Sequence, residues 1–113
     1  MNEIKNTTLE IERGTTELLV FIAEEPNLSY SITTDSEKHS IEFNYPTRDI
    51  DPVVALVARK SNETVTLSKI YITESNEIGS ELLPFGLGQY KFHKELEEKM
   101  IHNGVYFTAR IVE

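Results

Sequence analysis

The sequence predicts an all-β domain: a two-sheet antiparallel β-sandwich, immunoglobulin-like or jelly-roll, of about eight strands. Three observations predict it. Apolar and polar residues alternate with period two in several separate runs, as they do when one face of a strand is buried. Two further runs, Leu18 to Ala23 and Val53 to Ala58, are continuously apolar for six residues, the length of a strand buried at the centre of a sheet. No strand–helix–strand rhythm appears anywhere, so a parallel α/β sheet is disfavoured, and a closed barrel is the second architecture.

The elements follow in order. Leu9 and Ile11 alternate with Glu10 and Glu12 in a short strand whose acidic face suits a sheet edge. Leu18 to Ala23 is a central strand, ended by Glu24-Glu25-Pro26-Asn27, because proline cannot donate to a ladder. Leu28, Tyr30 and Ile32, then Ile41, Phe43 and Tyr45, read as two strands of a hairpin joined by a polar turn over 34–38. The stretch from Pro46 to Pro52 is an irregular crossing that carries the chain between sheets, and Val53 to Ala58 is the second central strand. Ser61-Asn62-Glu63 is a tight turn. Thr64 to Thr73 follows, with Val65 and Leu67 in one phase and Ile70 and Ile72 in the other; restoring one buried face needs a β-bulge at Ser68-Lys69. Glu74 to Gly88 reads as the longest loop.

The closing unit runs from Pro84 to Glu113. Tyr90 and Phe92 mark one strand, and Val105, Phe107, Ala109 and Ile111 mark another. Between them, good helix formers with Leu96 and Met100 at i, i+4 predict a short helix over 94–102. Asn103-Gly104 supplies the left-handed backbone that turns the chain into the last strand. The pair GQYKF and NGVYFTARI resembles the last hairpin of bacterial immunoglobulin-like and carbohydrate-binding sandwiches. The likeness covers about a quarter of the chain and lies in strand and turn chemistry that unrelated sandwiches share, so it implies fold and carries no functional residue.

At 113 residues the chain is expected to form one domain, 1–113, large enough to fold on its own core. It has no cysteine, which excludes disulfides, thiol nucleophiles and thiolate zinc sites. Nineteen acids against eleven bases give a formal charge of −8, which argues against nucleic acid and against anionic membrane surfaces. The first residues carry no secretory signal pattern, so the location is either cytoplasmic or exported with the leader outside this sequence.

No nucleophile or metalloprotease motif accompanies the three histidines, and the sequence is read as non-enzymatic with no catalytic residue, no cofactor and no metal. Two oxygen- and nitrogen-rich groups have ligand chemistry: His93 and His102 with Glu95, Glu97 and Glu98 for zinc, and Asp49 and Asp51 with Glu74, Asn76 or Glu77 for calcium. Turn formation and solubility account for them better. The informative side chains are aromatic. Tyr71 and Tyr106 fall out of phase with the apolar residues beside them and so point away from the face those residues bury, alongside Lys69 and Arg110. Tyrosine with arginine is the composition of protein-interface hot spots. Phe85 and Leu87, in a glycine-hinged loop, add an apolar tip. The expected function is therefore a protein-interaction or assembly module, binding a partner or its own copy through Tyr71, Tyr106, Arg110, Lys69, Phe85 and Leu87. A small carbohydrate-binding module using the same tyrosines, and an acidic inhibitor or immunity-type protein, are the alternatives.

Overall fold

In a computed structural model of the chain, residues 3–14, 17–46, 52–62, 64–83 and 99–113 are described. They form nine strands: β1 Ile4–Glu12, β2 Glu17–Ala23, β3 Ser29–Thr34, β4 Lys38–Pro46, β5 Val53–Ser61, β6 Thr64–Ile72, β7 Ile78–Leu82, β8 Lys99–His102 and β9 Val105–Val112. All pairings are antiparallel. One sheet has three strands in the order β1-β4-β3, and the other has six in the order β7-β6-β5-β2-β9-β8. The all-β, two-sheet expectation is met.

The hairpin predicted from alternation is β3–β4, paired from Ser29↔Asn44 to Thr34↔His39. Asp35 fixes its turn: the Oδ1 atom accepts the backbone N–H groups of Glu37 (2.7 Å) and Lys38 (2.8 Å). Those two bonds hold the Asp35 carboxyl below its ordinary value. The edge strand inferred at Leu9–Ile11 is β1, at nine residues longer than its apolar pair suggested. The two continuous apolar runs are β2 and β5, neighbours at the centre of the large sheet. The 46–52 connection does carry the chain from the small sheet to the large one, although most of it lies outside the described residues.

Both faces of the large sheet are buried. Leu18, Val20 and Ile22 of β2, with Val57, Ile70 and Ile111, meet Ile11, Ile41 and Phe43 of the small sheet in an inner core. The alternate residues Leu19, Phe21 and Ala23, with Leu56, Leu67, Phe107 and Ala109, form a second apolar cluster on the outer face. This overturns the bulge expected at Ser68-Lys69. The ladder runs unbroken through both residues on both sides: Leu56↔Lys69 and Val57↔Ser68 toward β5, Ser68↔Leu82 and Lys69↔Glu81 toward β7. Leu67 faces the outer core and Ile70 the inner one, so the break in phase records two buried faces rather than an inserted residue. The bulges sit in neighbouring strands instead. Val53 pairs Tyr71 and Ala55 pairs Ile70, leaving Val54 as the extra residue in β5. Val20 pairs Ile111 and Phe21 pairs Ala109, leaving Arg110 as the extra residue in β9.

Two strands were missed. Residues 78–82, read as loop, are the edge strand β7. The predicted helix over 94–102 is corrected at its end: 99–102 is the strand β8, while 94–98 and the strand inferred at Tyr90–Phe92 lie outside the described residues. Asn103 (φ 50°) and Gly104 (φ 79°) both take positive φ between β8 and β9, as a two-residue hairpin turn requires. That turn competes directly with a helix ending at the same Asn-Gly, and pairing with β9 decides the contest. Among the described residues there is no helix, and none long and apolar enough to cross a membrane.

Candidate functional site

Six strands cannot be covered by three. At roughly 4.8 Å per strand the large sheet is about 24 Å from first to last axis and the small one about 10 Å. On the β3 side the large sheet therefore projects as a shelf built from β9 and β8. Tyr106 and Ile101 are directly opposed across these strands, so they share a face, and Tyr106 alternates with Phe107 of the outer core, so that face is the one turned toward the small sheet. The small sheet does not reach them: Tyr106 is 52% exposed and Ile101 59%. These are two of the four exposed large hydrophobic residues among those described.

Where the shelf meets the small sheet there is an open depression of roughly 370 Å³, lined by Ile22, Glu24, Glu25, Leu28, Tyr30 and Arg110, among others. The bulge places Arg110 there, since the unpaired residue of a bulge is re-aimed from the regular alternation. The connection from β2 to β3 forms one wall and is pinned to β9. The Glu24 backbone N–H donates to the Tyr106 carbonyl (2.8 Å), and the Thr108 hydroxyl donates to Glu24 Oε1 (2.6 Å). Thr108 is buried, on the face of β9 that carries Tyr106. The last strand is also not an edge, for β8 lies beyond it.

The other residues singled out from sequence lie elsewhere. Tyr71 and Lys69 alternate with Ile70 of the inner core and so occupy the outer face of β6, three strands from β9 and on the opposite side of the sheet from Tyr106. Tyr71, Lys69, Tyr106 and Arg110 thus do not form one Tyr/Arg face. Lys69 pairs with Glu81 across to β7 (3.5 Å). The Tyr71 ring lies over Gly79, its cross-strand partner, where a β-carbon would overlap Cε2, Cζ and Oη. An aromatic ring covering a glycine on an edge strand is a sheet-stabilising arrangement. Gly79→Ala is accordingly expected to cost about 1 kcal/mol in urea unfolding, by displacing the ring. In a Tyr71→Ala background the same change should be neutral or stabilising, because the overlap is gone and glycine is a poor strand former. Phe85 and Leu87 lie outside the described residues, as do His93, Glu95, Glu97, Glu98, Asp49 and Asp51. Among the described residues no three His, Asp or Glu side chains gather as metal ligands.

A second polar cluster went unnoticed in the sequence. His39 is 4% exposed, the one buried histidine among the described residues. Its Nδ1 is 2.8 Å from the Thr34 hydroxyl, and its Nε2 is 3.0 Å from Glu113 Oε1. The Nε2 atom touches the carboxylate, though the angle falls short of a well-formed hydrogen bond. Arg13 Nε reaches the other carboxylate oxygen of Glu113 at 2.8 Å and its guanidinium donates to the Asp35 carbonyl (2.7 Å). His39 is on the small sheet and Glu113 follows directly on β9, so the cluster ties the two sheets together. Lys38 and Glu10 add an exposed ion pair beside it. The signal was present: His39 is one period upstream of Ile41, Phe43 and Tyr45, which fixes it as inward-facing.

No protein-family model matches the chain, and neither a characterised protein nor a solved structure matches it.

Proposed function

We propose that the chain is a protein-interaction module whose contact surface is the shelf formed by β8 and β9 beside the edge of the small sheet. The observation that carries this reading is the exposed cross-strand pair Ile101–Tyr106, two large apolar side chains held side by side on a rigid sheet at its margin. Tyrosine and arginine near one another supply contact area and hydrogen bonding at small entropic cost, and Arg110 lines the adjoining depression. The β8 strand has a single described neighbour, so its outer edge can accept another strand. The division of the tyrosines favours protein over sugar: one ring on each face makes no two-ring stacking platform.

The test compares three proteins as bait in cross-linking from the native host: wild type, Ile101→Asn/Tyr106→Ser, and Tyr71→Ala. The expected result is a partner captured by wild type and Tyr71→Ala and lost by the double variant, with all three unfolding at similar urea concentrations. Capture that is indifferent to the double change would remove the shelf as the contact surface.

A further inference from the structure

Resting on that reading, we infer that the partner presents an extended cationic segment, with apolar residues alternating with Lys or Arg, that lies along the step where the small sheet ends above the large one. The shape of the step is the first argument. On β4 the inward residues Ile41 and Phe43 are fully buried, and on β1 Leu9 and Ile11 nearly so. On β3 the corresponding Tyr30 and Ile32 are only partly buried, and among the described residues β3 pairs on one side alone. The space beside β3, lined by Ile22, Leu28, Tyr30 and Arg110 and continuing toward Tyr106 at the β2–β3 connection, is bounded by a strand edge with no second partner among the described residues and by apolar side chains below. A strand fits such a space: its backbone pairs with β3 while alternate side chains descend onto Tyr106 and Tyr30.

Charge is the second argument, and it selects among occupants. A second copy of this chain would bring −8 against −8. Among the described residues lining the depression the charged ones are Glu24, which also accepts the Thr108 hydroxyl, Glu25 and Arg110. A segment whose solvent-side residues are basic meets complementary charge both at the site and in the long-range field, which speeds encounter and rejects acidic competitors.

Three labelled peptides of about eight residues, alternating valine with lysine, threonine or glutamate, test this by fluorescence anisotropy at low and moderate salt. The expected order is lysine about tenfold tighter than threonine, with glutamate not binding, and about tenfold loss for lysine on Ile101→Asn/Tyr106→Ser. Equal binding of the lysine and threonine peptides, both lost in the double variant, would overturn the cationic partner and leave the shelf reading standing. Lysine binding unaffected by the double variant would mean attraction to the general field alone and would overturn both. So would no binding by any peptide at roughly 100 µM.

Discussion

Phe21→Ala is expected to destabilise the fold by about 3–5 kcal/mol, as much as Phe43→Ala. The two rings sit on opposite sides of the large sheet. Phe43 projects from the small sheet into the inner core, and Phe21 projects from β2 into the outer cluster with Leu19, Leu56 and Phe107. Both are fully buried. In a sandwich with one buried layer the outer residue of a central strand would be a surface group, and its truncation would cost less than about 0.5 kcal/mol. Here each truncation removes a full aromatic side chain from close-packed neighbours that relax only in part. Urea unfolding of the two variants checks the point, with Leu82→Ala, at a 68% exposed position, as the comparison expected to change little. A small effect at Phe21 alone would mean that the outer cluster is not a core.

The polar tie between the sheets gives the second large effect. His39→Ala is expected to cost about 2–4 kcal/mol, because it opens a cavity at a buried site and leaves the Thr34 hydroxyl and the Glu113 carboxylate without the ring between them. Glu113→Gln should cost less, about 1 kcal/mol, since its side chain is 25% exposed and solvent screens the pairing. The pH dependence has a definite sign. The neighbouring His39 ring, with Arg13 adding to it, holds the Glu113 carboxyl below its ordinary value. The folded state thus binds this proton less readily than the unfolded chain does. The stabilisation is complete above the ordinary carboxylate range and disappears as pH falls through the lowered folded value. Wild type and Glu113→Gln should therefore differ at about pH 6 and converge in chemical unfolding as pH falls below the ordinary carboxylate range and through the lowered folded value. A difference that grows on acidification would overturn the assignment.

The parts of the fold legible in the sequence were those governed by local pattern. Alternation marked β3 and β4, continuous apolarity marked β2 and β5 as central, and Asn103-Gly104 marked a turn. What misled was tertiary. The change of phase between Leu67 and Ile70 looks like a bulge when one buried face is assumed, and ceases to be a fault once both faces are buried. β7 was hidden because Gly79 interrupts its pattern, and the glycine is there to receive the Tyr71 ring. The same limits apply to the shelf. That Tyr106 takes the opposite phase to Phe107 could be read from its neighbours, but its companion Ile101 lay inside a run of helix formers, and only strand pairing sets the two side by side. That Tyr71 occupies the other face of the sheet depends on strand order, which no local pattern encodes.

The strand order also constrains how the chain can be made. β2 is the most apolar strand, and its two partners are β5 and β9, so one flank stays open until residues near 61 are available and the other until residues near 112 are. While a ribosome is still adding the later strands, the Leu18–Ala23 stretch has an unsatisfied edge, the condition in which nascent β chains stick to one another. The three strands of the small sheet, by contrast, all lie within the first 46 residues and can assemble early. A ribosome-stalled chain ending before Val105 should therefore recruit a holdase chaperone more strongly than one extended past Glu113, and the final strand acts as the step that releases it.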